Sequence, residues 1–162
     1  ITDGHLYFDT DLFFRSRRPA INPFLSVTRL GRQTQHAIGR DINREIMSAL
    51  SLLEKTQRYQ RFGAELTEGS KLALTIGEYI TDFFHQEQEV TVPLHVQLFS
   101  FALMWNGFWR EKTVEAMKKD LQSFNKSYKT KESVRKEVDL LVKKAKSLNE
   151  LLRVVGTEKS LF

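Results

Sequence analysis

The sequence predicts a mainly α-helical protein, a bundle of about five helices behind a short segment of strands and loops. Three observations carry that expectation. From Gln33 onward, apolar residues recur every three or four positions, the spacing of one helix face. Residues 1–31 lack this period and carry turn signals, prolines and two short strand-like runs instead. The chain has 162 residues, 41% of them hydrophobic, and no cysteine, so a buried core rather than disulfides must hold it. A chain of this size buries about 70% of its unfolded surface, enough for such a core.

Taken in order, Asp3-Gly4 is a turn signal and His5-Leu6-Tyr7-Phe8 a strand-like run. Asp9-Thr10-Asp11 reads as a helix-cap cluster. Arg17-Arg18-Pro19-Ala20-Ile21-Asn22-Pro23 spells extended loop, because each proline removes a donor and pushes its predecessor out of the helical region. Leu25-Ser26-Val27-Thr28 is a second short strand closed by Gly31, and two such strands do not make a stable sheet alone. Ile38, Ile42, Ile46, Ala49 and Leu53 then mark one helix of about 28 residues from Gln33 to a stop near Gly63. Leu72, Ile76, Tyr79, Ile80 and Phe83 form a second stripe. Thr91 and Pro93 start a third helix, with Leu94, Leu98, Phe101, Ala102, Trp105 and Phe108. Thr113 caps a fourth, carrying Val114, Met117, Leu121 and Phe124. Val134, Val138, Leu141, Ala145, Leu148, Leu152 and Val155 alternate steps of four and three, a seam suited to one long helix packed lengthwise on a neighbour.

The net charge is +5, but residues 1–110 hold 12 basic and 12 acidic residues, whereas residues 111–162 hold 13 basic and eight acidic. The first part uses Arg, suited to fixed bidentate contacts, and the tail uses Lys, suited to solvated helix faces. No apolar run approaches the ~20 residues that span a bilayer. His5, His36, His85 and His95 are scattered, and Asp9/Asp11 and Glu87/Glu89 diverge by alternation or rotation, so the spacing supports no metal site. No GxSxG, GxGxxG or GxxxxGK[ST] occurs, and a free-standing hydrolase lacks its nucleophile or acid–base set. Arg15, Arg17 and Arg18 precede Pro19, and Arg29 precedes Gly31. An Arg on rigid backbone beside a glycine can aim its fork at a phosphate, but spacing alone favours a surface or structural ion pair.

Ile1-Thr2-Asp3-Gly4, Asp11-Leu12-Phe13, Arg18-Pro19-Ala20-Ile21-Asn22 and Leu25-Ser26-Val27-Thr28-Arg29-Leu30-Gly31 resemble the motif run of the F-type ATP synthase alpha subunit. That family reads ITDGQ, E-L-F, RPAIN and LSVSRVG at the same separations. The likeness continues through Phe62-Gly63-Ala64-Glu65-Leu66, Gln86-Glu87-Gln88, Pro93, Gln97 and Gly107-Phe108, covering about residues 1–110. Departures fall at Arg32-Gln33-Thr34, Gly39, Glu89-Val90-Thr91 and His95-Val96-Gln97; none touches Arg29.

The resemblance implies that residues 1–32 are the C-terminal edge of a nucleotide-binding domain. Residues 33–162 would be its α-helical C-terminal domain, with 111–162 a divergent Lys-rich tail. The chain then looks cut from something longer. Arg29 would be the arginine finger reaching the catalytic site of the adjacent beta subunit. Phe13, Arg18, Pro19, Gln86 and Gln88 would line the adenine side of alpha's own non-catalytic site, with Ser26 and Thr28 facing a partner. Phe62, Gly63 and Glu65 would face the central rotor. The cofactors implied are ATP or ADP with Mg2+, whose phosphate and metal ligands lie upstream of Ile1, so this chain alone should be inactive. The partners implied are the beta subunit, the gamma rotor and the delta subunit of the peripheral stalk, with no nucleic acid. The location implied is peripheral to an energy-coupling membrane, the cytoplasmic face of the plasma membrane in a bacterium, with membrane contact only through the proton-transporting complex. The competing expectation is a helical interaction module whose basic tail binds an anionic surface or nucleic acid.

Overall fold

A computed structural model describes residues 2–63, 65 and 67–157, without the side chains of Arg32 and Thr157. The order of elements is β1 (Gly4–His5), α1 (Thr10–Phe14), β2 (Val27–Thr28), α2 (Gly31–Thr34), α3 (Ala37–Arg61), α4 (Glu68–Phe83), α5 (Leu94–Trp105), α6 (Val114–Thr130), α7 (Glu132–Lys144) and α8 (Leu148–Thr157). The mainly α expectation holds: helices dominate, and the two strands form one small antiparallel sheet, Gly4 opposite Thr28 and His5 opposite Val27. The chain divides into two compact units, one of residues 1–35 and 43–89, the other of residues 36–42 and 90–162.

In the first unit, local hydrogen bonds replace a core around α1. Asp9 caps the helix, its Oδ1 accepting from the amides of Asp11 and Leu12 at 2.9 and 3.3 Å. Its other oxygen accepts from Asn22 Nδ2 at 2.9 Å, and this bond, outweighing the opposing effect of burial, holds the Asp9 carboxyl below the usual carboxylate range. The Asp9 amide reaches Ala20 O and the Asn22 amide reaches Tyr7 O, a bridge centred on Phe8 and Ile21.

The helix expected from Gln33 to Gly63 is broken at Gln35, which is extended (φ −69, ψ 141), so α3 begins at Ala37. Between Leu30 and Ile38 no large apolar side chain is available to bury, so the single turn of α2 is not continued into α3. The stripe read on α4 is also corrected. Leu72 and Ile76 are exposed, and the buried positions are Ala73, Gly77 and Ile80. Close approach decides this. A Cβ built on Gly77 would lie 2.7 Å from Leu53 Cβ and Cδ2, so α3 seats Leu53 where α4 has no side chain.

The second unit is organised on α5. Val96 and Leu98 through Met104 are all buried, including Ser100, so the helix has no wet face after its first turn. Helices α6, α7 and α8 all pack against it. Trp109, fully buried just beyond α5, donates its indole N–H to Asp120 Oδ2 at 2.9 Å, and Lys112 Nζ meets the same oxygen at 2.8 Å. The seam read as one long helix from Val134 to Val155 is two helices, α7 and α8, because Ala145 is extended (ψ 127). The sequence Ser147-Leu-Asn-Glu150 is a capping pattern: Ser147 Oγ accepts from the Glu150 amide at 3.3 Å, and Glu150 Oε2 accepts from the Lys146 amide at 2.7 Å. Asp41 Oδ2 adds a bond from the Leu148 amide at 3.3 Å. The buried positions accordingly include Val142 and Leu151, while Leu141 and Leu152 are half-buried.

The Leu53–Gly77 contact makes a measurable claim. Gly77→Ala should lower stability by about 1–3 kcal/mol through overpacking, against a helix-propensity gain of up to about 1 kcal/mol. Adding Leu53→Ala should relieve the part of the clash made by the two Leu53 Cδ atoms while its Cβ contact stays, giving non-additive losses in a denaturant double-mutant cycle.

Candidate functional site

Four of the five residues that the resemblance assigns to an adenine pocket meet in the first unit. The Arg18 guanidinium carbon sits 3.8 Å from the centroid of the Phe13 ring. One of its nitrogens donates to Phe13 O at 2.9 Å and to Arg17 O at 2.8 Å, which fixes the fork to the turn after α1. The Arg18–Pro19 peptide is cis, and the Arg18 carbonyl accepts from the Gln86 amide at 2.7 Å. Helix α4 thus delivers its exit segment to the α1 loop, 68 positions earlier in the chain. Gln88 lies two residues on, exposed in a turn with Glu89, which has a positive φ of 69°. Phe13 is half exposed, and Phe14, edge-on to it at 6.0 Å, is almost fully exposed.

Arg29 follows β2, and its position is set by backbone. Its amide donates to Asp3 O at 3.0 Å, extending the ladder beyond Gly4 and Thr28. Thr28 Oγ1 accepts from the Gly31 amide at 2.9 Å, and a Cβ on Gly31 would fall 2.6 Å from that oxygen, so a larger residue there would have to displace the Thr28 hydroxyl. The Arg29 side chain is exposed, and among the described residues no carboxylate pairs with it. Ser26 Oγ accepts from the Tyr7 amide at 3.0 Å and donates to Asn22 O at 2.6 Å. The hydroxyls of Ser26 and Thr28 therefore brace the Arg29 loop. Phe62, 87% exposed, and Gly63, with φ +74°, end α3, and Glu65 is exposed beyond them. The matched positions Ala64 and Leu66 lie outside the described residues.

A polar cluster in the second unit escaped the sequence reading. Asp139 Oδ1 on α7 lies 2.6 Å from His95 Nδ1 on α5 and accepts from Tyr128 Oη on α6 at 2.6 Å, tying three helices through one oxygen. Burial raises the Asp139 pKa, but the bonds from Tyr128 and His95 outweigh it and hold the carboxyl below its usual range. Burial, followed by the bond to Asp139, pushes the Tyr128 phenol up to about 12. His95 and Asp139 are 44 positions apart, and no periodic signal links them. Among the described residues no group of three His, Cys, Asp or Glu side chains is placed to hold a metal ion. Nor is any helix among them long and apolar enough to cross a membrane.

A helical domain carried behind a loop that stacks arginine on phenylalanine and sets a second arginine beside a tight glycine turn is the class of structure these units define. The family described as ATP synthase alpha/beta chain, C terminal domain, matches residues 35–155, and the chain belongs to it. The likeness to named relatives is with alpha subunits. ATP synthase subunit alpha 1 of Listeria monocytogenes serotype 4b (strain F2365) is 30% identical over 156 residues, 93% of this chain and 30% of the relative. ATP synthase subunit alpha 1 of Listeria welshimeri serovar 6b is 38% identical over 96 residues, 59% of this chain and 19% of the relative. ATP synthase subunit alpha of Acetivibrio thermocellus is 29% identical over 128 residues, 79% of this chain and 24% of the relative. The chain therefore corresponds to an ATP synthase alpha C-terminal portion and spans between about a fifth and a third of these curated relatives.

The Asp139 cluster predicts how stability varies with pH. Asp139 is depressed on folding, so its contribution is present above about pH 4 and lost as pH falls through the folded value. Tyr128 is raised, so its contribution is complete below about pH 10 and lost as pH rises towards 12. Asp139→Asn should flatten the acid limb and Tyr128→Phe the alkaline limb of a plot of denaturation midpoint against pH.

Proposed function

We propose that this chain acts as the C-terminal part of an alpha subunit in a proton-translocating ATP synthase. Residues 1–32 would be the edge of its nucleotide-binding domain and residues 33–162 its helical domain. The role is regulatory and structural, with one direct catalytic contribution from Arg29 in trans to the neighbouring beta subunit. The observation that carries the reading is the meeting of Phe13, Arg18 and Gln86 in one place, at the positions the alpha-subunit motifs select. These residues fit a purine. The Arg18 guanidinium carbon lies over the Phe13 ring, and arginine planes stack on aromatic rings. Pro19 adds apolar wall, and the Gln86 and Gln88 amides supply the few polar contacts that orient a base.

ATP or ADP with Mg2+ would supply its phosphates and metal to ligands outside this sequence, so the chain holds at most the base. Arg29 would neutralise charge developing on the transferred phosphoryl group, its backbone held by Asp3, Thr28 and Gly31. Phe62, Gly63 and Glu65, at the exposed end of α3, would face the rotor; the beta and gamma subunits and the delta subunit of the peripheral stalk would be its partners. The complex would place the chain at the face of an energy-coupling membrane without inserting it. The exposed Leu6, Phe8, Phe14 and Leu25 suit an edge that other parts of a larger subunit cover. A basic tail for nucleic acid is less favoured, since Lys112 pairs with Asp120, Lys136 with Glu132, and Lys129 donates to Thr91 O.

In the complete assembly, Arg29→Lys should lower ATP turnover by on the order of 10³–10⁵ while nucleotide affinity stays nearly constant. Steady-state ATPase and equilibrium nucleotide binding, measured on the same preparation, decide it, and unchanged turnover refutes the finger. The isolated chain should bind ATP no tighter than millimolar, and a micromolar complex would contradict the base-only site.

A further inference from the structure

Arg15, at the C-cap of α1, and Gln57, Gln60 and Arg61, near the end of α3, line an open hollow of about 420 Å³ in the first unit. That volume lies within the range of small-molecule sites. Gln57, Gln60 and Arg61 stand three and four positions apart, so they share one helix face. The adjacent acid on α3, Glu54, is engaged by Arg58 at 3.5 Å and does not line the hollow. Among the described residues neither Arg15 nor Arg61 forms an ion pair, although the Arg15 charge is felt by the Asp9 carboxylate, so two arginines and two neutral glutamines line one concavity. Such an arrangement is stabilised by an anion.

We infer that this hollow binds a small phosphate-bearing anion, at a place separate from the Phe13–Arg18 stack. The chemistry selects phosphate over carboxylate. A planar carboxylate satisfies one guanidinium fork, whereas tetrahedral phosphate presents oxygens in several directions and up to two charges, enough for forks arriving from two elements. The Gln57 and Gln60 amides supply donors and acceptors for the ester or hydroxyl side of the same molecule. The inference does not depend on the nucleotide role of Phe13 and Arg18.

The test is a calorimetric titration of the 162-residue chain with sodium pyrophosphate at fixed ionic strength, with circular dichroism confirming the fold of each variant. Saturable binding is expected, reduced at least tenfold by Arg15→Gln together with Arg61→Gln. Arg58→Gln and Phe13→Ala should leave it unchanged. Should the double variant fail to fold, Gln60→Leu replaces it, with an expected severalfold loss. Absence of saturable binding at millimolar pyrophosphate overturns the inference, as does an equal loss in Arg58→Gln, which would mean attraction to general positive charge. A loss in Phe13→Ala assigns the anion to the stacked site and equally overturns it.

Discussion

Helix α5 sets the terms for the second unit. A helix with one apolar stripe needs one neighbour, but one whose side chains are buried from Leu98 to Met104 needs neighbours on every side, and α6, α7 and α8 are the means of supplying them. Truncating a core side chain such as Phe99, Phe101 or Leu103 to alanine would cost on the order of 2–5 kcal/mol. The surrounding helices are amphipathic because each contributes one face to α5 and gives the other to water, and in α6 and α7 the watered face is rich in lysine. Packing on α5 thus accounts for a charged outer face in residues 111–162, though not for its sign.

What could be read from the sequence follows the range of the interactions responsible. Caps are local, and Asp9 and Thr113 stood out because a side chain reaches an amide two or three residues on. The stop at Gly63 was legible for the same reason. Burial on α4 was not, because hydropathy favours Leu72 and Ile76 while the actual contact is made by the smallest residue, Gly77, against Leu53. The tail misled in the opposite way. Its three-and-four alternation runs unbroken through Ala145, yet the Ser147–Glu150 pattern, reinforced by Asp41 from another helix, outweighs continuity. In the candidate site, Phe13, Arg18 and Pro19 are close in sequence, but Gln86 was connected to them only by family likeness, and the His95–Asp139–Tyr128 cluster by nothing local.

The first unit holds the loops of the candidate site in a different way. Side-chain oxygens of Asp9, Asn22, Ser26 and Thr28 each take a backbone amide that no regular element satisfies. Loops so anchored keep their shape without a core beneath them, which lets Phe13, Arg18 and Arg29 stay at the surface. Their exposure and their fixed geometry have one cause.

Trp109, sealed beside α5 and bonded to Asp120, has an experimental consequence. The chain has two tryptophans, and the other, Trp105, stacks on Phe101 in the same unit, whereas Tyr7, Tyr59 and Tyr79 all belong to the first unit. Indole fluorescence therefore observes only one half of the molecule. A melt followed at tryptophan wavelengths alone therefore follows the unit that holds both indoles, and the Asp9–Asn22 loops and the α3–α4 contact need a probe of their own.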